Sequence, residues 1–571
     1  MLSAKHNHQR RSGKVSGVVA AFLVILSPLA VAGSGVDHSA LPPVLTEADF
    51  LPFDEKRAAL GRLLFYDPIL SGNRNISCGT CHHHSLAGAD GLALGVGEGG
   101  EGIGEKRTTG TGRDRIDRRV PRNAPALFNI GHRDIRHLFH DGRLSIDDLY
   151  GNRFNSPAEE YLPQGLSSIA AAQSLFPITS ETEMAGHSEE NAVAGARNDR
   201  IDHAWRLIAE RVRATPDYSR LFVDAFEDVD SPAEVTIVHI GNAIGDFVNS
   251  EWRSHDSPFD RYLQGEGDAL SEDARLGMDL FFGRGGCSAC HSGALFTDQE
   301  FYALALPQFG PGRTRMFDLM QRDVGRMVET DRLEDAYRFR TPSLRNSALT
   351  APYGHNGAYP KLEGIIRHHL DPQASFDRWS RSQVALPAAE HLKEADFAAL
   401  QDRRERQRVR ASVDIEPLDL GDDEVGQLVA FVHALTGAES VKGRLGRPAI
   451  LILGFLGFSN RSIYDSFVAC YTWIPSLARS DRAARTCLTD GLAQTRVTRW
   501  QISACRRFRY FSCSLRRSCR ISARCKRVTV ARTVRRCSES RSFRAIIISA
   551  RCLMRLNRSI SLGSLITLLT I

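Results

Sequence analysis

The stretch Ile76-Ser77-Cys78-Gly79-Thr80-Cys81-His82 decides how this 571-residue chain is read. Cys78, Cys81 and His82 form a C-x-x-C-H. Two thiols at that spacing can add to the two vinyl groups of a haem, and the adjacent histidine is then held beneath the iron as axial ligand. The pattern recurs once, at Cys287, Cys290 and His291. The competing reading is one zinc site built from all four thiolates, but zinc has no need of a histidine directly after each pair.

Upstream of each motif lies the same kind of segment. Asp54 to Tyr66 and Leu270 to Phe282 match in pattern, and each leads into a C-x-x-C-H. This internal repeat predicts a mainly α fold of two cytochrome c-like helical domains, each with one covalently attached haem. Ser257-Pro258 lies near the boundary, giving units at 33–255 and 256–440. Further helices are expected from Glu189 to Phe226, broken at Pro216, from Pro232 to Trp252, and from Asp422 to Leu435. Residues 88–119, rich in Gly and charge, read as a surface loop. Residues 151–172 have weak periodicity and read as an insertion.

Whole-chain averages mislead. From Val441 onward lie 26 of the 73 basic residues, 4 of the 67 acidic ones and 8 of the 12 Cys. That leaves 47 basic and 63 acidic residues before it, so a body of −16 carries a basic stretch of +22. The basic pI is therefore no argument for nucleic-acid binding, and none is expected. The four Cys of the body are the two C-x-x-C pairs, which suits an oxidising compartment where spare thiols would mispair. Arg10, Arg11 and Lys14 precede an apolar run from Val15 to Leu29, followed by Ala30-Val31-Ala32. This reads as a cleaved signal peptide over 1–32 and a periplasmic protein, against the alternative of an uncleaved anchor. Residues 441–571, rich in Arg, Ser and Cys, are read as lying outside the fold. The functional alternative is a basic arm for an acidic partner or membrane.

The body resembles the bacterial di-haem cytochrome c peroxidases, which include the MauG-type enzymes. The resemblance runs from about Leu60 to Gly437. It rests on Leu60-Gly-Arg-Leu-Leu-Phe-Tyr-Asp-Pro, Arg122-Asn-Ala-Pro, Asp141-Gly-Arg, Glu183-Met184, Arg340-Thr-Pro-Ser-Leu-Arg-Asn and Leu349-Thr-Ala-Pro-Tyr, with His355-Asn-Gly just beyond. It implies two covalently bound c-type haems with a calcium ion between the domains. The N-terminal haem would react with hydrogen peroxide and the C-terminal haem would relay electrons.

Peroxide reduction needs a group that takes a proton from one peroxide oxygen and returns it to the other. A carboxylate over an apolar haem face can do this, because desolvation raises its pKa. Glu183 matches the family's catalytic glutamate, and Gln173 its distal glutamine. Many members cap the peroxidatic haem with a histidine sixteen residues after the proximal one. That position here is Glu98, in a Gly-rich acidic loop where a glutamate is expected to be solvated. The first haem should then need no reductive opening. For the second haem, Leu362, Ile365, Ile366 and His369 fall on one helical face, with His368 turned away. The helix follows His355-Asn-Gly, so His369 is expected opposite His291, giving a His/His haem of lowered potential. His140 stands where the family commonly has Trp before Asp141-Gly142-Arg143. The resemblance assigns calcium to the Asn123 side-chain oxygen and the Thr350 and Pro352 carbonyls, oxygen donors that suit a hard cation.

The expected activity is peroxide reduction with electrons from a small cytochrome c or cupredoxin, by a protein that could form a homodimer. The rivals are a MauG-type enzyme oxidising residues of a partner protein, and a non-catalytic di-haem electron carrier. There is no Gly-rich nucleotide fingerprint after a strand and no hydrolase triad signature.

Overall fold

The computed structural model describes residues 41–112 and 115–448. The expected signal peptide and the stretch from 449 lie outside them.

Six helices carry the architecture: α1 (Glu55–Tyr66), α2 (Ile201–Arg213), α3 (Ile237–Glu251), α4 (Glu272–Phe282), α5 (Leu362–Leu370) and α6 (Asp422–Ala434). Asp54 caps α1, its side chain accepting from Lys56 N and Arg57 N, and Ser271 caps α4 by accepting from Ala274 N. The remaining chain is mostly short helical turns, with a three-stranded antiparallel sheet, β1 (His137–Leu138), β2 (Leu144–Ile146) and β3 (Phe154–Asn155). A second ribbon pairs β4 (Phe301–Ala303) with β5 (Arg338–Arg340), Phe301 opposite Arg340. Among the described residues no helix is long and apolar enough to cross a membrane.

The repeat is built as one packing solution used twice. The helix before each C-x-x-C-H crosses a later helix, α1 against α3 and α4 against α6. Both crossings run through a glycine. A Cβ on Gly61 would stand 1.9 Å from the Ala243 carbonyl oxygen, and one on Gly277 would stand 1.9 Å from that of Gln427. Only a residue without a side chain allows backbones so close. Around the first crossing Phe65 packs on Phe247 and Trp252, at centroid distances of 5.2 and 5.7 Å. Around the second Phe281 and Phe259 pack on Phe431 at 5.2 and 5.4 Å. These rings belong to two separate apolar clusters, each buried Phe contributing roughly 1.5–3 kcal/mol.

The structure corrects several expectations. The stretch expected from Glu189 to Phe226 is three helices, Ala192–Asp199, α2 and Pro216–Ala225, with Pro216 opening the last one rather than only breaking the run. Residues 88–119 are not a surface loop throughout. Leu92 to Gly97 are buried, and Ala93 and Leu94 pack with Phe309, Ala358 and Tyr359. The ordered chain also continues past 440. Ala438–Lys442 is helical, Leu445 packs on the first cluster, and the amides of Leu445 and Gly446 donate to the buried Glu251 carboxylate at 2.8 and 2.6 Å.

Candidate active site

Each C-x-x-C-H motif forms a single short turn downstream of its helix. Cys78–Cys81 is a single helical turn and Cys287–Ala289 a 3-10 turn, and the four thiols make no disulfide. Gly79, between the first pair, lies against the Tyr66 ring, where a Cβ would stand 2.3 Å from its edge. Burial pushes the Cys78 and Cys81 thiols up to about 12 and Cys287 up to about 11.

The histidines are held alike. His82 Nδ1 lies 3.0 Å from the Gly88 carbonyl oxygen and His291 Nδ1 lies 3.1 Å from that of Phe296. A carbonyl at Nδ1 fixes the proton there and leaves Nε2 with a free lone pair, as an axial ligand requires. Burial holds both rings below the usual histidine range, His291 at about 4. The residues present therefore fit two covalently attached haems.

On the second motif the structure brings His369 to His291, with ring centroids 6.5 Å apart. Metal–imidazole bonds of about 2 Å on each side fit that separation. His369 Nδ1 is bonded to the Ile365 carbonyl oxygen at 2.8 Å, so its Nε2 is free as well. Leu362, Ile365 and Ile366 on the same face are half-buried rather than buried. His368 is the buried member of the pair, satisfied by the Tyr359 hydroxyl at 2.7 Å and the Leu304 carbonyl at 2.6 Å.

The first motif differs. Among the described residues no aromatic or imidazole ring packs against His82. Glu183 sits in a π-turn, Glu181–Ala185, half-buried and packed between the Gly72 loop that leads into the first motif and the Gly97 loop that follows it. Gln173 ends the short helix Ile169–Gln173, half-buried, ten residues before Glu183. Glu98 is not simply solvated. It is half-buried, and its Oε1 accepts from Asn73 Nδ2 at 3.0 Å and Asn75 Nδ2 at 2.6 Å.

The fold also builds a buried charged junction that the sequence reading did not identify. Arg122 pairs with Asp323 through two bonds of 2.7 Å and with Asp141 at 2.6 Å. Arg143 and Arg313 also reach Asp141. Burial alone would raise the Asp141 carboxyl, and the three guanidinium groups together hold it well below the carboxylate range. His140 is half-buried beside them with Nε2 on the Asn123 carbonyl oxygen at 3.0 Å, and desolvation depresses it to about 4. His355 stacks on Phe339 at 3.6 Å, and neither of its ring nitrogens has a partner.

The three oxygens assigned to calcium belong to segments joined by the bond from Asn123 N to the His355 carbonyl, at 2.9 Å. Asn123 Nδ2 donates to the Leu92 carbonyl oxygen at 2.7 Å, which turns Oδ1 the other way. Among the described residues no hydrogen bond ends on Asn123 Oδ1 or on the Thr350 and Pro352 carbonyls. These donors fit a hard cation. No group of three His, Cys, Asp or Glu among the described residues could hold a metal.

Comparison with known proteins gives the class. Residues 55–268 match the family model described as di-haem cytochrome c peroxidase. The chain is 30% identical to cytochrome c551 peroxidase of Nitrosomonas europaea over 60% of its own length and 81% of that protein. It is 29% identical to methylamine utilization protein MauG of Methylorubrum extorquens, over 57% of this chain and 73% of that one. A crystal structure of a MauG-like protein associated with microbial copper homeostasis aligns at a TM-score of 0.46 with 27% identity, covering 70% of this chain and 95% of that one. The chain belongs to the di-haem cytochrome c peroxidase family, whose members are haem oxidoreductases.

Proposed function

We propose that the protein is a periplasmic di-haem peroxidase that reduces hydrogen peroxide to two waters. Two protons and two electrons balance the reaction, the electrons coming from a small cytochrome c or cupredoxin. In this reading Cys78 and Cys81 attach the first haem and Cys287 and Cys290 the second. When bound, the haems supply the iron at which peroxide is reduced and the means of passing electrons to it. His82 would hold the first haem's iron, and His291 and His369 would hold the second's. Glu183 accepts the proton of one peroxide oxygen and delivers it to the other, so that water can leave. Gln173 orients peroxide by donating a hydrogen bond. Asn123, Thr350 and Pro352 would supply the oxygens for a calcium ion.

The observation that carries this reading is the asymmetry of the two sites. His369 faces His291, whereas the turn bearing Glu183 is packed between the loops on either side of the first motif, at Gly72 and Gly97. Glu183→Gln tests it. The variant keeps shape but cannot shuttle the proton, and the rate of reaction with peroxide should fall about 10²–10⁴-fold with haem content unchanged. An unchanged rate would remove Glu183 from the mechanism.

A second reading is oxidation of residues on a partner protein, and one observation favours it. Met316, Phe317 and Leu319 are 82, 92 and 97% exposed on a single loop, more apolar surface than solvent alone explains. Specific co-purification of one protein, lost in Phe317→Ser, would support that reading. Peroxide turnover with a small donor alone would count against it.

A further inference from the structure

The turn Glu181–Ala185 is gripped from two sides. On one side Gly72 N donates to the Met184 carbonyl at 2.8 Å, and a Cβ on Gly72 would stand 1.8 Å from the Ala185 carbonyl oxygen. On the other, a Cβ on Gly97 would stand 1.8 Å from the Thr182 carbonyl oxygen and 3.0 Å from Glu183 Cα. Each loop needs glycine to come this close.

The two loops are then tied to each other. Asn73 Nδ2 and Asn75 Nδ2 donate to the same oxygen of Glu98, the residue after Gly97. A carboxylate makes these bonds shorter and stronger than a neutral acceptor would. Asn73 Oδ1 accepts from Asn191 Nδ2 at 3.0 Å, and that amide also reaches the Ala185 carbonyl at 2.8 Å. The Gly97 loop is fixed from behind by buried Arg107, which donates to the carbonyls of Val96, Gly97 and Gly102 at 2.5, 2.6 and 2.7 Å. The chain thus closes a ring: turn, Gly72–Asn75 loop, Glu98, Gly97, turn.

We propose that Glu98, Asn73 and Asn75 are positioning residues for Glu183, locking two glycine loops across the turn that carries it. The proposal rests on the reading of Glu183 as the acid–base group. A side chain in that role must be held to a fraction of an ångström, and displacement of about 1 Å can cost on the order of 10²-fold in rate. Within the turn the amides of Glu183, Met184 and Ala185 bond to the Ser180 carbonyl, and the two glycine loops add the restraint from outside. Glu98 acts at one remove, through backbone contact, and need not touch peroxide.

The test uses the full chain loaded with both haems, with hydrogen peroxide as probe. Glu98→Ala should lower the rate of the peroxide reaction ten- to a hundredfold, on the order expected for misplacement of a catalytic group. Glu98→Gln keeps an oxygen for the two amides and should restore most of the rate. In a Glu183→Gln background Glu98→Ala should cost nothing further, because the two act as one unit. Independently of activity, hydrogen exchange at Gly72, Met184 and Ala185 should speed up in Glu98→Ala and not in Glu98→Gln. Should Glu98→Ala fail to load haem, Asn75→Ala takes its place, since it loses one donor and keeps its backbone bond to Ser71 Oγ. A wild-type rate in Glu98→Ala, or an equal loss in the Glu183→Gln background, overturns the clamp. A wild-type rate in Glu183→Gln instead overturns the acid–base reading beneath it, whatever Glu98 does.

Discussion

Asp90 is buried eight residues after His82, with one carboxylate oxygen on Leu92 N at 2.9 Å and the other without a partner. Burial pushes its carboxyl up to about 7. The folded state therefore holds the proton more tightly than the unfolded chain. The stability this contributes is full below about pH 4 and lost as pH rises to about 7. Asp90→Asn keeps an acceptor for the Leu92 amide and removes the dependence. It should raise the unfolding midpoint at pH 8 and leave it unchanged at pH 4, as calorimetry would show. His140 and His355 run the other way. Burial depresses them to about 4 and about 3. The unfolded chain takes up protons first, so stability is full above about pH 6.5 and lost between there and the folded values. Relative to the wild type, His355→Gln should raise the denaturant midpoint at pH 5 more than at pH 7, and an equal change at both would contradict this. At the residue scale the two C-x-x-C-H motifs, and the pairing of His369 with His291, were legible in the sequence, because spacing and helical periodicity are local signals. The surroundings of Glu98 were not. Its partners Asn73 and Asn75 lie 25 and 23 residues away, and no periodicity links them.

The crossings of α1 with α3 and α4 with α6 give the repeat its stability, and each turns on one glycine. Gly277→Ala would drive a methyl group into the Gln427 carbonyl. Overpacking of this kind costs about 1–3 kcal/mol, so urea unfolding should shift to lower concentration with haem content retained. Gly61→Ala should behave the same way against α3. These helices could be read from apolar spacing and from matching strings before each motif. The segment at 88–97 could not. Its glycines suggest a solvated loop, yet Ala93 and Leu94 are covered by residues more than 200 positions later in the chain. Burial conferred by distant sequence leaves no local signature. The same limit hid Leu445, which reaches back to the first cluster.

At the scale of the whole molecule, one buried ionic junction joins segments from distant parts of the chain. Arg122 is bound to Asp323 and Asp141, and all three are almost fully buried. Removing Arg122 leaves Asp323 buried and charged without its guanidinium partner and takes from Asp141 one of its three, and breaking a buried pair in this way typically costs about 3–5 kcal/mol. Arg122→Ala should destabilise by that order in equilibrium unfolding, and replacing Arg122 together with Asp323 by apolar residues should recover much of it, Asp141 keeping Arg143 and Arg313. The sequence showed Arg122 and Asp141 as parts of family strings, but their pairing became visible only in the fold. The asymmetry between the two haem sites emerges at this scale too, from one helix bringing His369 to His291 and one π-turn presenting Glu183. The most direct test is an electron paramagnetic resonance spectrum of the fully oxidised, as-purified protein. A high-spin ferric signal beside a low-spin bis-histidine signal is predicted, one iron open and one closed, and His369→Ala should abolish the bis-histidine signal alone. Two low-spin signals with no high-spin component would mean that a side chain caps the first iron, and the open-site account would be wrong.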